Sequence, residues 1–237
     1  MATTQTPAEA SDHGAGLIAA PLIVLGGGEH ARVVIEAARS QGEQWAVQGY
    51  VAPDQGAEEI PEVPWLGDDA ALVGRLAELT PNEEPWLILG FGAGETAGAL
   101  AARLATTDRF PGARWATIVH ARAWVSPSAT VEEGAVVLGG AVVNAGARVK
   151  RHVIVNSAAV IEHDVVVGAG GHVAPGAVIG GGAHIHEHAF IGLGARVRDH
   201  IEIGAGAFVG MGAVVVASIG PGAIVVGIPA RPYEPGA

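Results

Sequence analysis

From Val119 onward the aliphatic positions of the chain recur every six residues without a break in register. They fall at Val119, Val125, Val131, Val137, Val143, Val149, Val155, Ile161 and Val167, and continue at Val173, Ile179, Ile185, Ile191, Val197, Ile203, Val209 and Val215. All seventeen positions hold Val or Ile, and four residues after each of the first sixteen comes a small or aliphatic residue, Ala in twelve cases. Residues two apart on a strand share a face. Each Val or Ile therefore points inward together with the residue two before it, and the neighbours point out. Gly and polar residues between them supply corners. Short strand, corner and next strand wind into a solenoid whose coils stack about 4.8 Å apart. An amphipathic helix needs a 3.6-residue period, which this segment lacks. The pattern predicts a β-solenoid over residues 117–217 and a closing segment over 218–237.

The pattern upstream is different. Residues 1–20 are rich in Ala, Thr and Ser and read as a disordered tail. Pro21 to Leu25 reads as a buried strand, followed by Gly26-Gly27-Gly28-Glu29-His30 and a helix from Ala31 to about Ser40. A second strand, Trp45 to Val51, ends at Pro53-Asp54, and a helix is expected from Asp68 to Leu79. A third strand, Trp86 to Leu89, leads into Gly90-Phe-Gly-Ala-Gly-Glu and a helix from about Thr96 to Thr106. Strands alternating with helices predict a small parallel α/β domain of Rossmann-like type over residues 21–116. Gly26, Gly28 and Ala31 fit G-x-G-x-x-A, and Asp54 falls roughly where a ribose-binding acid would. Only one mononucleotide half precedes the repeat, which counts against a dinucleotide.

Composition narrows the function. Glycine occurs 36 times in 237 residues with no triplet period, so it serves corners rather than a collagen helix. The formal charge is −11, and Lys150 is the one lysine, which makes nucleic acid and anionic membranes poor partners. Cysteine is absent, which excludes disulfides, thiolate metal sites and cysteine nucleophiles. No apolar run reaches the roughly 18 residues of a spanning helix. The first twenty residues lack a basic segment typical of a signal peptide. The expectation is a soluble, cytoplasmic protein.

Repeats such as Ile203-Gly-Ala-Gly-Ala-Phe and Val209-Gly-Met-Gly-Ala-Val resemble the left-handed parallel β-helix of hexapeptide-repeat acyltransferases. Val226-Gly-Ile-Pro-Ala-Arg-Pro resembles the segment that closes it, and Leu25-Gly-Gly-Gly-Glu-His-Ala-Arg-Val-Val-Ile-Glu resembles the opening of a sugar-acyltransferase subgroup. That subgroup contains the sialic-acid O-acetyltransferase and the bacillosamine and perosamine N-acetyltransferases. The resemblance covers nearly all of residues 21–232. It implies three hexapeptides per coil, so residues eighteen apart stack. It also implies a homotrimer with active sites between subunits, acetyl-CoA as co-substrate, and a small α/β domain that holds the acceptor's nucleotide. There Gly26, Gly27 and Gly28 would approach the phosphates, helped by the free amides of a helix N-terminus, and His30 matches the family histidine of that turn.

The resemblance also nominates a base. His163, within Asn156-Ser-Ala-Ala-Val-Ile-Glu-His-Asp, matches the family's catalytic histidine, and Asn156 and His172 match positions lining the site and the CoA channel. Imidazole accepts and returns a proton near neutral pH, as an amine or hydroxyl attacking a thioester requires. Asp164 is the candidate to orient the ring, with Glu162 as rival. Gly181, eighteen residues on, stacks one coil further, where its N–H is the candidate oxyanion donor and its missing side chain lets the thioester approach. Arg196, Arg198 and Arg231 are candidates for the phosphates of CoA.

His184-x-His186-x-His188 invites a zinc reading, since alternate residues share a strand face, and β-helical carbonic anhydrases are a competing enzyme class. The spacing differs from that family's, and no metal is expected. The leading reading is transfer of an acetyl group to the amino group of a nucleotide-linked sugar. Sugar O-acetylation is the near alternative. A non-catalytic solenoid is the alternative from another class, for which the Asn156, His163 and Asp164 set would have no purpose.

Overall fold

The computed structural model describes residues 19–55, 60, 62–80, 83–92 and 97–233. The tail expected over 1–20 thus lies, up to residue 18, outside the described residues, as do residues 93–96 of the second glycine-rich segment. Ala20 is not part of a tail: it opens the first strand and is buried.

The N-terminal region is a four-stranded parallel sheet with helices. Its strands are β1 (Ala20–Leu25), β2 (Trp45–Val51), β3 (Trp86–Leu89) and β4 (Arg114–Trp115), in the order β2-β1-β3-β4. The two-residue β4 has no alternation to betray it in sequence. The helices are α1 (Glu29–Arg39), α2 (Asp69–Ala77) and α3 (Ala97–Ala105). In α1, Ala31, Val34, Ile35 and Ala38 recur at i, i+3, i+4 and i+7 and form its buried stripe. Asp68 caps α2 by accepting from the Ala71 amide at 2.9 Å. Among the described residues no helix is long and apolar enough to cross a membrane.

From Ile118–Val119 on, two-residue strands repeat every six residues, and each pairs in parallel with the strand eighteen residues away. Three parallel ladders result, the faces of a triangular prism. The Val and Ile of the six-residue rhythm and the residues two before them fill the interior: Val137, Val155, Val173 and Ile191 are fully buried, as are Ala135, Val153 and Ala189. Burying one such aliphatic side chain contributes roughly 1.5–3 kcal/mol. Corners need left-handed backbone. Glycine takes it at Gly134, Gly146 and Gly182, whereas His152, Asp164, His188 and His200 adopt it at φ 54–60°. The solenoid ends in Ile224–Val226, paired antiparallel with Arg231–Pro232.

The two regions share a core. Outward-facing Ile118 and Val136, together with Leu138, pack among the buried residues of α1 and β1. At the end of α1, the Ser40 hydroxyl accepts from the Ala121 amide at 3.0 Å. One face of the prism is thereby covered by the α/β region over its first coils.

Candidate active site

Two groups of candidate residues stand on different edges of the prism. The first is the corner after Val160–Ile161. There His163 Nδ1 lies 3.0 Å from Asp164 Oδ2. The carboxylate can only accept, so Nδ1 carries the proton and Nε2 presents its lone pair. The left-handed conformation of Asp164 (φ 60°) turns its carboxylate back onto the ring, and Gly146, one coil below, leaves room for it: a Cβ there would stand 2.5 Å from Asp164 Oδ1. Glu162 is engaged elsewhere, accepting from Asn144 Nδ2 at 3.1 Å and from the His163 amide at 3.4 Å. The His163 and Asp164 side chains are 58% and 71% exposed, so this is an open surface pair rather than the buried carboxylate of a triad.

Gly181 stacks on His163 across one coil, as its neighbour's bond from the Gly182 amide to the His163 carbonyl at 2.8 Å demonstrates. A side chain at Gly181 would run into His163 Nε2, with Cε1 at 2.6 Å and Cδ2 at 3.0 Å. The imidazole thus lies directly over this glycine. Among the described residues the Gly181 amide has no hydrogen-bond acceptor.

The second group sits at the other end of the Val160–Ile161 strand and at the junction with the α/β region. The Ser157 amide donates to Asn156 Oδ1 at 2.8 Å, which orients the amide so that Nδ2 faces His172 Nε2 at 3.2 Å. His172 Nε2 is therefore the acceptor, and the ring is neutral with its hydrogen on Nδ1. That Nδ1 is buried, with no partner among the described residues. The ring stands edge-on to Phe190 (5.1 Å, 81°), which stacks on Phe208 (4.8 Å, 9°). Burial, then the nearby His30 and Arg103, push the His172 pKa down to about 3. His30, in the first turn of α1, is held at about 4 by burial and then by Arg103, and its Nε2 is likewise buried with no partner among the described residues.

The glycine turn before α1 lies at the carboxyl end of the sheet. Gly26 takes φ 122° and donates to the Val51 carbonyl at 2.7 Å; Gly27 lies against the Tyr50 ring, where a Cβ would come within 2.7 Å. Gly28 caps α1 without a side chain and faces open space. Asp54 follows β2, beside β1 at the same sheet edge, and is exposed.

Arg196 and Arg198 are exposed on the strand and corner two coils beyond Val160–Ile161 and Glu162, on the side of His163. Arg231 is exposed in the cap over the last coil and does not join them. His184, His186 and His188 do not share one strand face, because the strand ends at Ile185. His184 and His186 stack at 4.1 Å, and His186 reaches Glu202 at 3.4 Å. His188 turns away over Gly170. Among the described residues no group of three metal-binding side chains gathers. A groove of about 340 Å³ bounded by Val73, Leu87 and Phe110 is lined by none of these residues.

Sequence reasoning missed Asn144, Gly146 and Arg103. The first two stand eighteen residues before Glu162 and Asp164, so the stacking register could have found them. A lone arginine in the Ala-rich α3 carries no such signal.

No protein-family profile matches the chain, and no curated protein matches it. Among solved structures, the acetyltransferase domain of PglB from Neisseria gonorrhoeae FA1090 is 33% identical, with a TM-score of 0.81 over 90% of this chain and 99% of that one. A second structure of that domain is in complex with acetyl coenzyme A. PerB from Caulobacter crescentus, in complex with CoA and GDP-perosamine, is also 33% identical, with a TM-score of 0.77 over 90% of this chain and 97% of that one. Identity at this level over both regions, with the solenoid and the glycine turn in place, decides the family: the chain belongs to the hexapeptide-repeat left-handed β-helix sugar acyltransferases, in the subgroup of the bacillosamine and perosamine N-acetyltransferases.

Proposed function

We propose that the protein transfers the acetyl group of acetyl-CoA to the amino group of a nucleotide-linked amino sugar, with His163 as general base. The observation that carries this reading is the corner at which the His163 imidazole, bonded to Asp164 through Nδ1, lies over Gly181. The acceptor amine attacks the thioester carbon, and His163 Nε2 takes the amine's proton. Asp164 holds the ring's tautomer and steadies the imidazolium. The tetrahedral oxyanion accepts a hydrogen bond from the Gly181 N–H. Collapse expels the CoA thiolate, which recovers the proton from the imidazolium.

The remaining parts fit around that step. The α/β region, Rossmann-like and set at residues 21–116, holds the nucleotide, with Gly26, Gly27 and Gly28 at its phosphates, His30 nearby and Asp54 toward the ribose. The free amides of α1 suit an anion. The solenoid over 117–217 presents acetyl-CoA along the edge of His163, with Arg196 and Arg198 toward its phosphates and Arg231 reaching from the cap over 218–237. Asn156 lines the acceptor side, and His172 beside it faces the CoA channel. They stand at the far end of a strand from His163 in one chain, so one protomer carries two half-sites. A homotrimer brings the His163 edge of one subunit against the Asn156 edge of the next. An amine acceptor is favoured because the similar structures at 33% identity include N-acetyltransferases.

The test is CoA release with acetyl-CoA and a panel of acceptors. Nucleotide-linked amino sugars are expected to turn over, and free sugars and nucleotide sugars without an amine are not. His163→Ala is expected to lose about 10²–10⁴-fold in kcat with an unchanged melting temperature, since the side chain is exposed. Turnover of hydroxyl acceptors alone, or full activity without His163, would overturn the reading.

A further inference from the structure

Arg103 is among the largest fully buried side chains of the described residues. It leaves α3 and reaches across the junction between the two regions. Its Nε donates to the Phe91 carbonyl at 2.9 Å, and its Nη1 donates to the His152 carbonyl at 2.6 Å. Phe91 follows β3 in the second glycine-rich segment, and its neighbour Gly92 lies against His30. His152 is a left-handed corner of the solenoid, wedged edge-on against Trp115 at 4.9 Å. One guanidinium therefore ties that segment of the α/β region to the prism's corner.

A buried arginine is costly unless paired. Among the described residues this one donates only to carbonyls and its Nη2 has no partner, and burial pulls its pKa down to about 10. Around it stand three imidazoles with buried nitrogens that have no partner among the described residues: His30 Nε2, His152 Nδ1 and His172 Nδ1. Among the described residues, the charged and titratable groups acting on these rings are Arg103, Arg151 and the histidines themselves, all cationic when charged. Burial and Arg103 thus favour the neutral rings. Neutrality matters at His172, whose Nε2 must accept from Asn156; a protonated ring would set two donors against each other. Such an arrangement exceeds what a domain latch needs, because apolar packing joins helices to sheets at lower cost.

We propose that Arg103 is a positioning residue for the acceptor half of the site: it latches Phe91 and Gly92, after β3, to the His152 corner and so holds His30 and His172 beside Asn156. The proposal rests on the acetyltransferase reading above. It is tested with Arg103→Met, which removes the charge at similar size, and Arg103→Lys, which keeps the charge but cannot span both carbonyls. In Arg103→Met the KM for the nucleotide amino sugar is expected to rise about tenfold or more, with the KM for acetyl-CoA changed less than about threefold. In ¹³C-histidine NMR spectra, His30 and His172 are expected to stay neutral from pH 8 to 5 in the parent and to take up protons at higher pH in Arg103→Met than in the parent, burial remaining the larger cause of their low pKa. Arg103→Lys is expected to keep both rings neutral while still raising the acceptor KM. A folded Arg103→Met with parental KM values and parental histidine titrations overturns the proposal. So does an equal rise in both KM values. If Arg103→Met does not fold, Arg103→Lys decides: a parental acceptor KM, or titrating rings, overturns it. If the parent transfers no acetyl group at all, the acetyltransferase reading fails, and the NMR titration still judges Arg103.

Discussion

Gly180 and Gly181 are adjacent, yet an alanine at each is expected to fail differently, and the difference isolates the catalytic corner. At Gly181 the nearest atoms a Cβ would meet all belong to the His163 ring, with Cε1 at 2.6 Å. Carbon atoms pack at about 3.5–4.0 Å, so the ring must retreat by about 1 Å. The backbone there is not in the left-handed region, and the ring is 58% exposed and can swing into solvent, so stability is expected to change by less than about 0.5 kcal/mol. A displacement of about 1 Å at reacting groups costs roughly 10²-fold, about 2.7 kcal/mol of transition-state stabilisation. At Gly180, by contrast, a Cβ would stand 2.5 Å from the Asp199 amide nitrogen and 2.9 Å from the Arg198 carbonyl carbon. Backbone cannot yield as a side chain does, so overpacking there is expected to cost about 1–3 kcal/mol of stability. The assay is kcat/KM for acetyl-CoA alongside urea unfolding of both variants. Gly181→Ala with kcat/KM within about threefold of the parent would refute the stacked-imidazole reasoning; loss of stability equal to that of Gly180→Ala would show that its effect is not local.

Three further outcomes are expected. Asp164→Asn should cost roughly tenfold or more in kcat and Glu162→Gln less, because Asp164 touches the ring while Glu162 is held by Asn144; equal losses in steady-state assays would contradict that division. Co-purified mixtures of His163→Ala and Asn156→Ala, each inactive alone, should recover activity if the half-sites meet between subunits, and no recovery from a mass-verified mixed oligomer would count against shared sites. Stability should fall with acidification. His30, His152 and His172 have folded pKa values of about 4, 3 and 3, below the ordinary 6.5, so the unfolded chain binds protons first. Their contribution is complete above pH 6.5 and is lost as pH falls toward about 4, by up to about 1.4 kcal/mol per pH unit for each ring. Urea midpoints equal at pH 7 and pH 5 would contradict this.

The six-residue rhythm determined the solenoid by itself, because alternation along a strand is a local property: Val155 points inward and Ile154 outward whatever surrounds them. The turn from Gly26 to His30 was equally legible, since glycines between a buried strand and a helix start leave few conformations. Stacking at eighteen residues then led from His163 to Gly181, and the same register would have led from Asp164 to Gly146. What the rhythm leaves open is the fate of outward residues. His172 and His163 look alike in sequence, both polar and both within the repeat. Yet His172 is sealed beneath the α/β region, while His163 stands in solvent at the opposite end of a strand. Only the docking of α1 and α3 against one face of the prism decides which is covered, and that contact joins residues far apart in the chain. Arg103 is the clearest case. Nothing in an alanine-rich helix foretells that its arginine will be buried, because burial there depends on a corner forty-nine residues away.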